Sequence, residues 1–127
     1  MPAKKIEKKD DLHHIRDHAT DDEFKMIITI VKRGFSDPVI TASKKAGAEG
    51  GTIFNGRGTG VNEQKSIFGM PLQPEKEIIM TIVKASKAKK VLRAIYDSAN
   101  LSASGTGIAF VLPIDQVVGI NHPISKN

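Results

Sequence analysis

A seven-residue run occurs twice in this chain. Residues 26–32 read MIITIVK and residues 78–84 read IIMTIVK, with five of seven positions identical at an offset of 52. Both runs are β-branched and apolar almost throughout and have strand length, the pattern of strands central in a sheet. Each is followed by a helix signal. In the first half Ser36 or Asp37 is placed to cap, Pro38 suits the first turn, and the helix runs through Val39, Ile40 and Ala42 to Gly47, a C′ glycine. In the second half Ser86 is the expected cap of a helix through Val91, Leu92 and Ile95. At the same offset Val39 falls on Val91, Ile40 on Leu92 and Ala42 on Ala94. A glycine and a short strand close each half, at 51–54 and 107–111. A doubled βαβ unit predicts an α+β, ferredoxin-like fold: a four-stranded antiparallel sheet with two helices on one face. Strands two and four are its edges. Two helices leave the other face bare, and a β-branched face of that size is normally buried against a partner. Cyclic oligomerisation through the sheets is therefore expected.

Composition fits one domain. The chain has 127 residues, 39% hydrophobic and 26% charged, with no cysteine. Thiolate metal sites, disulfides and a cysteine nucleophile are excluded. Five phenylalanines and one tyrosine make a stacked-ring platform for single-stranded nucleic acid poorly supplied. No apolar run approaches the ~20 residues of a membrane span. The charged start carries no apolar signal region, so a cytoplasmic location is expected. Residues 1–24 form a polar extension and 25–127 the domain. Leu12, Ile15 and Ala19 suggest a short amphipathic helix in the extension. It carries His13, His14 and His18, and His14 and His18 are one turn apart, a spacing able to hold a metal. Exposed polar helix is the preferred reading, and no metal site is assigned.

The net charge of +5 belongs to the body. Residues 1–25 hold six basic and seven acidic side chains, whereas the remainder holds thirteen and seven. Lys84, Lys87, Lys89, Lys90 and Arg93 cluster in the second helix, read as a solvated face rather than a nucleic-acid surface.

Two glycine-rich segments carry the candidate chemistry. Gly56, Gly58 and Gly60 alternate around Arg57 and Thr59, an arrangement that exposes successive N–H groups as an anion-binding nest. Arg57 adds a charge suited to phosphate. The second segment, Ser102–Gly107, precedes strand four. In a cyclic trimer the two glycine loops are expected to meet across each subunit boundary. The connection 59–75 holds Ile67, Phe68, Met70 and Leu72, too apolar for a solvated loop. They either pack back on the body or dock another protein.

This layout resembles the PII signal-transduction family, nitrogen regulatory protein P-II, over residues 25–120. The resemblance rests on the doubled βαβ order, Gly50-Gly51-Thr52, Gly56-Arg57-Gly58, Pro74-Glu75-Lys76, the run from Gly105 to Pro113, and Val117 to Ile120. It implies a non-enzymatic homotrimer binding ATP or ADP as regulatory ligands in clefts between subunits, with no prosthetic group. It implies that loop 59–75 docks on a membrane transporter or metabolic enzyme. It puts Gly56, Gly58, Gly105, Gly107 and Lys76 at the phosphates, and Thr52 beside the adenine with Ile53 next to it. With Arg57, Thr59 and Thr106 these make up the candidate nucleotide site. The chain departs from the family pattern at Ile108, where a lysine is usual, at Gly119 and Asn121, where arginines are usual, and at Gly60, where a glutamine is usual. The last departure weakens the case for 2-oxoglutarate sensing. The one tyrosine, Tyr96, lies on the second helix, which excludes uridylylation of a loop tyrosine. A trimeric receptor for another ligand, such as cyclic di-AMP, is the alternative. No catalytic residues are assigned: there is no Ser-His-Asp order and no paired carboxylate in a glycine-loop context, and His122 is isolated.

Overall fold

The computed structural model describes residues 23–60, 63, 66–71 and 73–120. The expected N-terminal helix with its histidines, and His122, lie outside them. The elements are β1 (Phe24–Lys32), α1 (Ser36–Lys45), β2 (Thr52–Arg57), β3 (Ser66–Ile67), β4 (Met70–Pro71), β5 (Glu75–Lys84), α2 (Ala85–Ser98) and β6 (Gly107–Pro113). The main sheet has the order β2-β5-β1-β6, antiparallel throughout. This is the ferredoxin-like sheet with β2 and β6 at its edges.

The repeat fixes the central register. Ile28 faces Met80 across β1 and β5, and these two residues are also equivalents in the repeat. A pseudo-twofold axis therefore runs between them. Strand alternation separates two faces. Ile27, Thr29 and Val31 of β1 and Ile79, Thr81 and Val83 of β5 are buried on one side. There they pack with Val39 of α1 and Ala88, Val91 and Ile95 of α2 as the core. The opposite face carries Phe54, Ile82, Ile108, Phe110 and Leu112, each 39–55% exposed.

The helix ends differ from the sequence expectation at their starts and match it at one finish. Neither helix has a side-chain cap on its own first residue: the cap positions are Phe35 and Lys84. Ser86 lies inside α2, because β5 runs into the helix without a loop. For α1 the capping role passes to Glu77 of β5, whose carboxylate accepts from the N–H groups of Gly34 and Ser36 at 3.1 and 3.2 Å. The Ser36 hydroxyl, and then these N–H groups, hold the Glu77 carboxyl below its ordinary value. At the other end Gly47 has φ +123°. The Ala48 N–H bonds to the Ser43 carbonyl and the Gly47 N–H to that of Lys44. This is the Schellman ending expected of a C′ glycine.

Thr29 and Thr81 are repeat equivalents, both fully buried under the helices, and neither hydroxyl has a hydrogen-bond partner. An unmet buried hydroxyl costs more than an apolar group of the same shape. Thr29→Val and Thr81→Val should each stabilise the fold by about 1 kcal/mol, read as a raised midpoint with unchanged slope in urea unfolding.

Candidate functional site

Each predicted glycine segment follows from a break in the sheet. β2 ends at Arg57, and the chain leaves through Gly58, whose N–H bonds to the Pro74 carbonyl at 3.2 Å. That bond and the pairs Gly56 with Lys76 and Arg57 with Glu75 close the base of the long connection. The second segment follows α2, beyond whose end Asn100 takes a φ of +54°. The Thr106 hydroxyl lies 2.9 and 3.0 Å from the carbonyls of Asn100 and Ala103, pinning this loop.

Both segments line one cavity of about 630 Å³ within a single protomer. A meeting across a subunit boundary was expected; within the protomer they already share one cavity, because the end of β2 and the start of β6 lie at the same end of the sheet. The floor is apolar, built from Ile30, Ile78 and Ile108, and the rim from Gly56, Arg57, Gly58, Thr59, Gly60, Glu63, Lys76, Gly105 and Gly107. Such a volume with an apolar floor and few polar groups suits a small-molecule ligand.

Glycine is required at position 107. A Cβ on Gly56 would meet only the terminal Cδ1 of Ile78, at 2.9 Å, which a side-chain shift can relieve. A Cβ on Gly107, where φ is +154°, would collide with the Ile30 carbonyl oxygen and lie 3.2 Å from Val31 Cγ1. Gly107→Ala should therefore cost at least about 1–3 kcal/mol, measured by denaturant unfolding, and displace β6 from the cavity floor.

The polar centre is a cradle for negative charge. Lys76 Nζ contacts both Glu63 oxygens at 2.7 and 2.8 Å, and the Gly60 N–H donates to Glu63 Oε1 at 2.6 Å. The two side chains are 13% and 11% exposed. Lys32 stands directly across the ladder from Lys76. Like charges facing each other are unfavourable, and the carboxylate of Glu63 offsets them. The hydrogen bond from Lys76, then that from Gly60, with smaller contributions from the charges of Lys76 and Lys32, holds the Glu63 carboxyl below its ordinary 4.5.

The remaining predicted residues divide. Arg57 also borders a shallower cavity with Arg33, Asn55, Glu75 and Glu77. Its register position opposite Glu75 puts it on the helix side of the sheet, away from Lys76. Arg33 is paired there with Glu75 at 2.6 Å. Thr52 lines a separate cavity of about 520 Å³, with Met80, Ile82, Lys84, Lys87 and Gly119 among its walls. Ile53 pairs with Ile79 on the helix side and lines neither the 630 Å³ nor the 520 Å³ cavity. Thr106 is turned into its own loop and borders a small cavity beside Phe35 and Asn100. Lys32 and Glu63 escaped the sequence reading. The repeat was the available signal for Lys32, because a register centred on Ile28 and Met80 sets Lys32 against Lys76. Among the described residues, no group of three His, Cys, Asp or Glu could hold a metal, and no helix is long and apolar enough to cross a membrane.

The sequence matches the family nitrogen regulatory protein P-II over residues 24–122. Among solved structures, that of Arabidopsis thaliana PII bound to citrate is similar at 26% identity with a TM-score of 0.62, covering 78% of this chain and 84% of that one. Comparison with curated proteins gives no match. The four-stranded sheet, its two helices and the matched span define a P-II signalling protein: this chain belongs to the P-II family.

Because the Glu63 carboxyl is depressed, its pairing contributes fully above about pH 4.5. That contribution is lost as pH falls through the lower folded value. Amide hydrogen exchange at Gly58, Gly60 and Glu63, whose N–H groups are hydrogen-bonded here, should therefore accelerate below that range, and Glu63→Gln should produce the faster exchange already at pH 7.

Proposed function

We infer that this chain is a non-enzymatic sensor whose cavity takes the phosphates of an adenine nucleotide, and whose long connection changes position when it does. The observation that carries the reading is the Glu63 carboxylate between the Lys76 ammonium and the Gly60 N–H. An anion from the loop occupies the cradle that a phosphate oxygen requires. Ligand and loop then compete for one site, so binding shifts the loop population by their difference in affinity.

Two observations support assembly as a trimer with the nucleotide between subunits. The apolar face of Phe54, Ile82, Ile108, Phe110 and Leu112 is too large to stay bare. Thr52 lies in a different cavity from the glycine loops of its own chain. One nucleotide reaches both if its phosphates enter one subunit and its base lies by Thr52 of the next. The cytoplasm is the compartment that supplies such ligands, and the regulated partner is a transporter or metabolic enzyme. Citrate on the Arabidopsis protein favours a polyanion-binding site without naming the ligand here, and cyclic di-AMP on the same trimer is the second reading.

Calorimetry with ATP and ADP should show binding. Lys76→Ala should weaken it roughly tenfold or more, the loss of one charged hydrogen bond. Arg57→Ala should weaken it less, given its place on the helix side. Glu63→Gln should tighten it by removing the internal competitor. No heat with either nucleotide at millimolar concentration would sink the nucleotide reading. Displacement of ATP by cyclic di-AMP in a thermal-shift assay would support the second.

A further inference from the structure

Residues 66–71 form a small hairpin, β3 with β4, at the far end of the long connection. Its two turn residues are Phe68 and Gly69, with φ +50° and +75°. Two-residue hairpin turns of this kind require positive φ at both positions and are normally built from Asn, Asp or Gly. A phenylalanine there is held in a backbone region that bulky side chains avoid. The same ring is 96% exposed, and Met70 beside it is 62% exposed. Of the two sequence alternatives, packing back on the body fails for both side chains.

Local folding gains nothing from this arrangement. Glycine or asparagine would suit the turn better, and a polar residue would suit the exposure better. We propose that Phe68 is the anchor by which the long connection docks on a protein partner, its ring entering a preformed apolar socket. The proposal rests on the loop-docking part of the function inferred above and does not depend on which ligand fills the cavity.

The chemistry of the tip selects the partner. The seven residues from Ser66 to Leu72 carry no charge. An anionic lipid surface would be met by basic residues, and none is in this run. Strand addition is also disfavoured, because Pro71 in β4 has no N–H to donate and the strands are two residues long. Recognition falls to side chains, and the partner's socket is apolar and uncharged. One ring and one thioether bury far less than a stable interface of roughly 1,200–2,000 Å². The contact is therefore one fast-releasing anchor within a larger loop interface.

The test places the photo-crosslinking residue benzoylphenylalanine at position 68 of the full chain in source cells, with a second variant carrying it at Lys89 on α2 as control. A protein captured at 68 and not at 89 is then purified and titrated with wild type, Phe68→Leu, Phe68→Ser and Phe68→Gly. The expected result is binding within about threefold for Phe68→Leu and at least tenfold weaker for Phe68→Ser and Phe68→Gly. Binding should be nearly unchanged between 0.05 and 0.5 M salt. Melting temperature should be unchanged or higher for Phe68→Gly. Crosslinking at 68 only to lipid or to a second copy of this chain, no capture above the control, or equal binding by Phe68→Ser would each overturn the proposal. Calorimetry with ATP on Phe68→Ser separates the two readings: nucleotide binding should stay at the wild-type level, and its absence in both proteins would count against the nucleotide site alone.

Discussion

The pairing of β1 with β5 carries the rest of the molecule. Nine residue pairs run from Phe24 with Lys84 to Lys32 with Lys76. One face of this ladder supplies the strand half of the core under both helices. The other supplies Ile30 and Ile78 to the cavity floor. Its last pair sets two lysines side by side, which creates the demand for a counter-charge that Glu63 meets. Hydrophobic burial holds the ladder on one side. On the other, the same strands remain apolar and half-buried.

Much of the architecture was legible because it is carried by periodicity. The repeated run gave both central strands, and the apolar spacing after each gave a helix. Gly47 was readable as an ending because its role is local: a positive φ and two backbone hydrogen bonds. The helix starts were not, because their partners are remote. Glu77 lies 41 residues from Ser36, and no spacing rule connects a strand carboxylate to the N-terminus of another element. Ser86 looked like a cap in isolation, yet continuous passage from strand to helix moved the boundary ahead of it.

The cavity was legible in part. Alternating glycines and Lys76 suggested an anion cradle, and these residues line one cavity. Glu63 was missed because a single acidic residue in a polar loop carries no pattern. Its meaning comes from the fold bringing it within 2.7 Å of Lys76. Ile53 illustrates the reverse. It lies in the right strand, but alternation turns it to the helix side, and a register one residue different would have turned it inward.

The start of β5 also links layers that are otherwise separate. Lys76 and Glu77 are adjacent, so their side chains leave the strand in opposite directions. One holds the loop carboxylate above the open face, and the other closes the N-terminus of α1 beneath the sheet. The cavity rim on one face and the N-terminus of a helix on the other are thus held by neighbouring residues, one peptide bond apart.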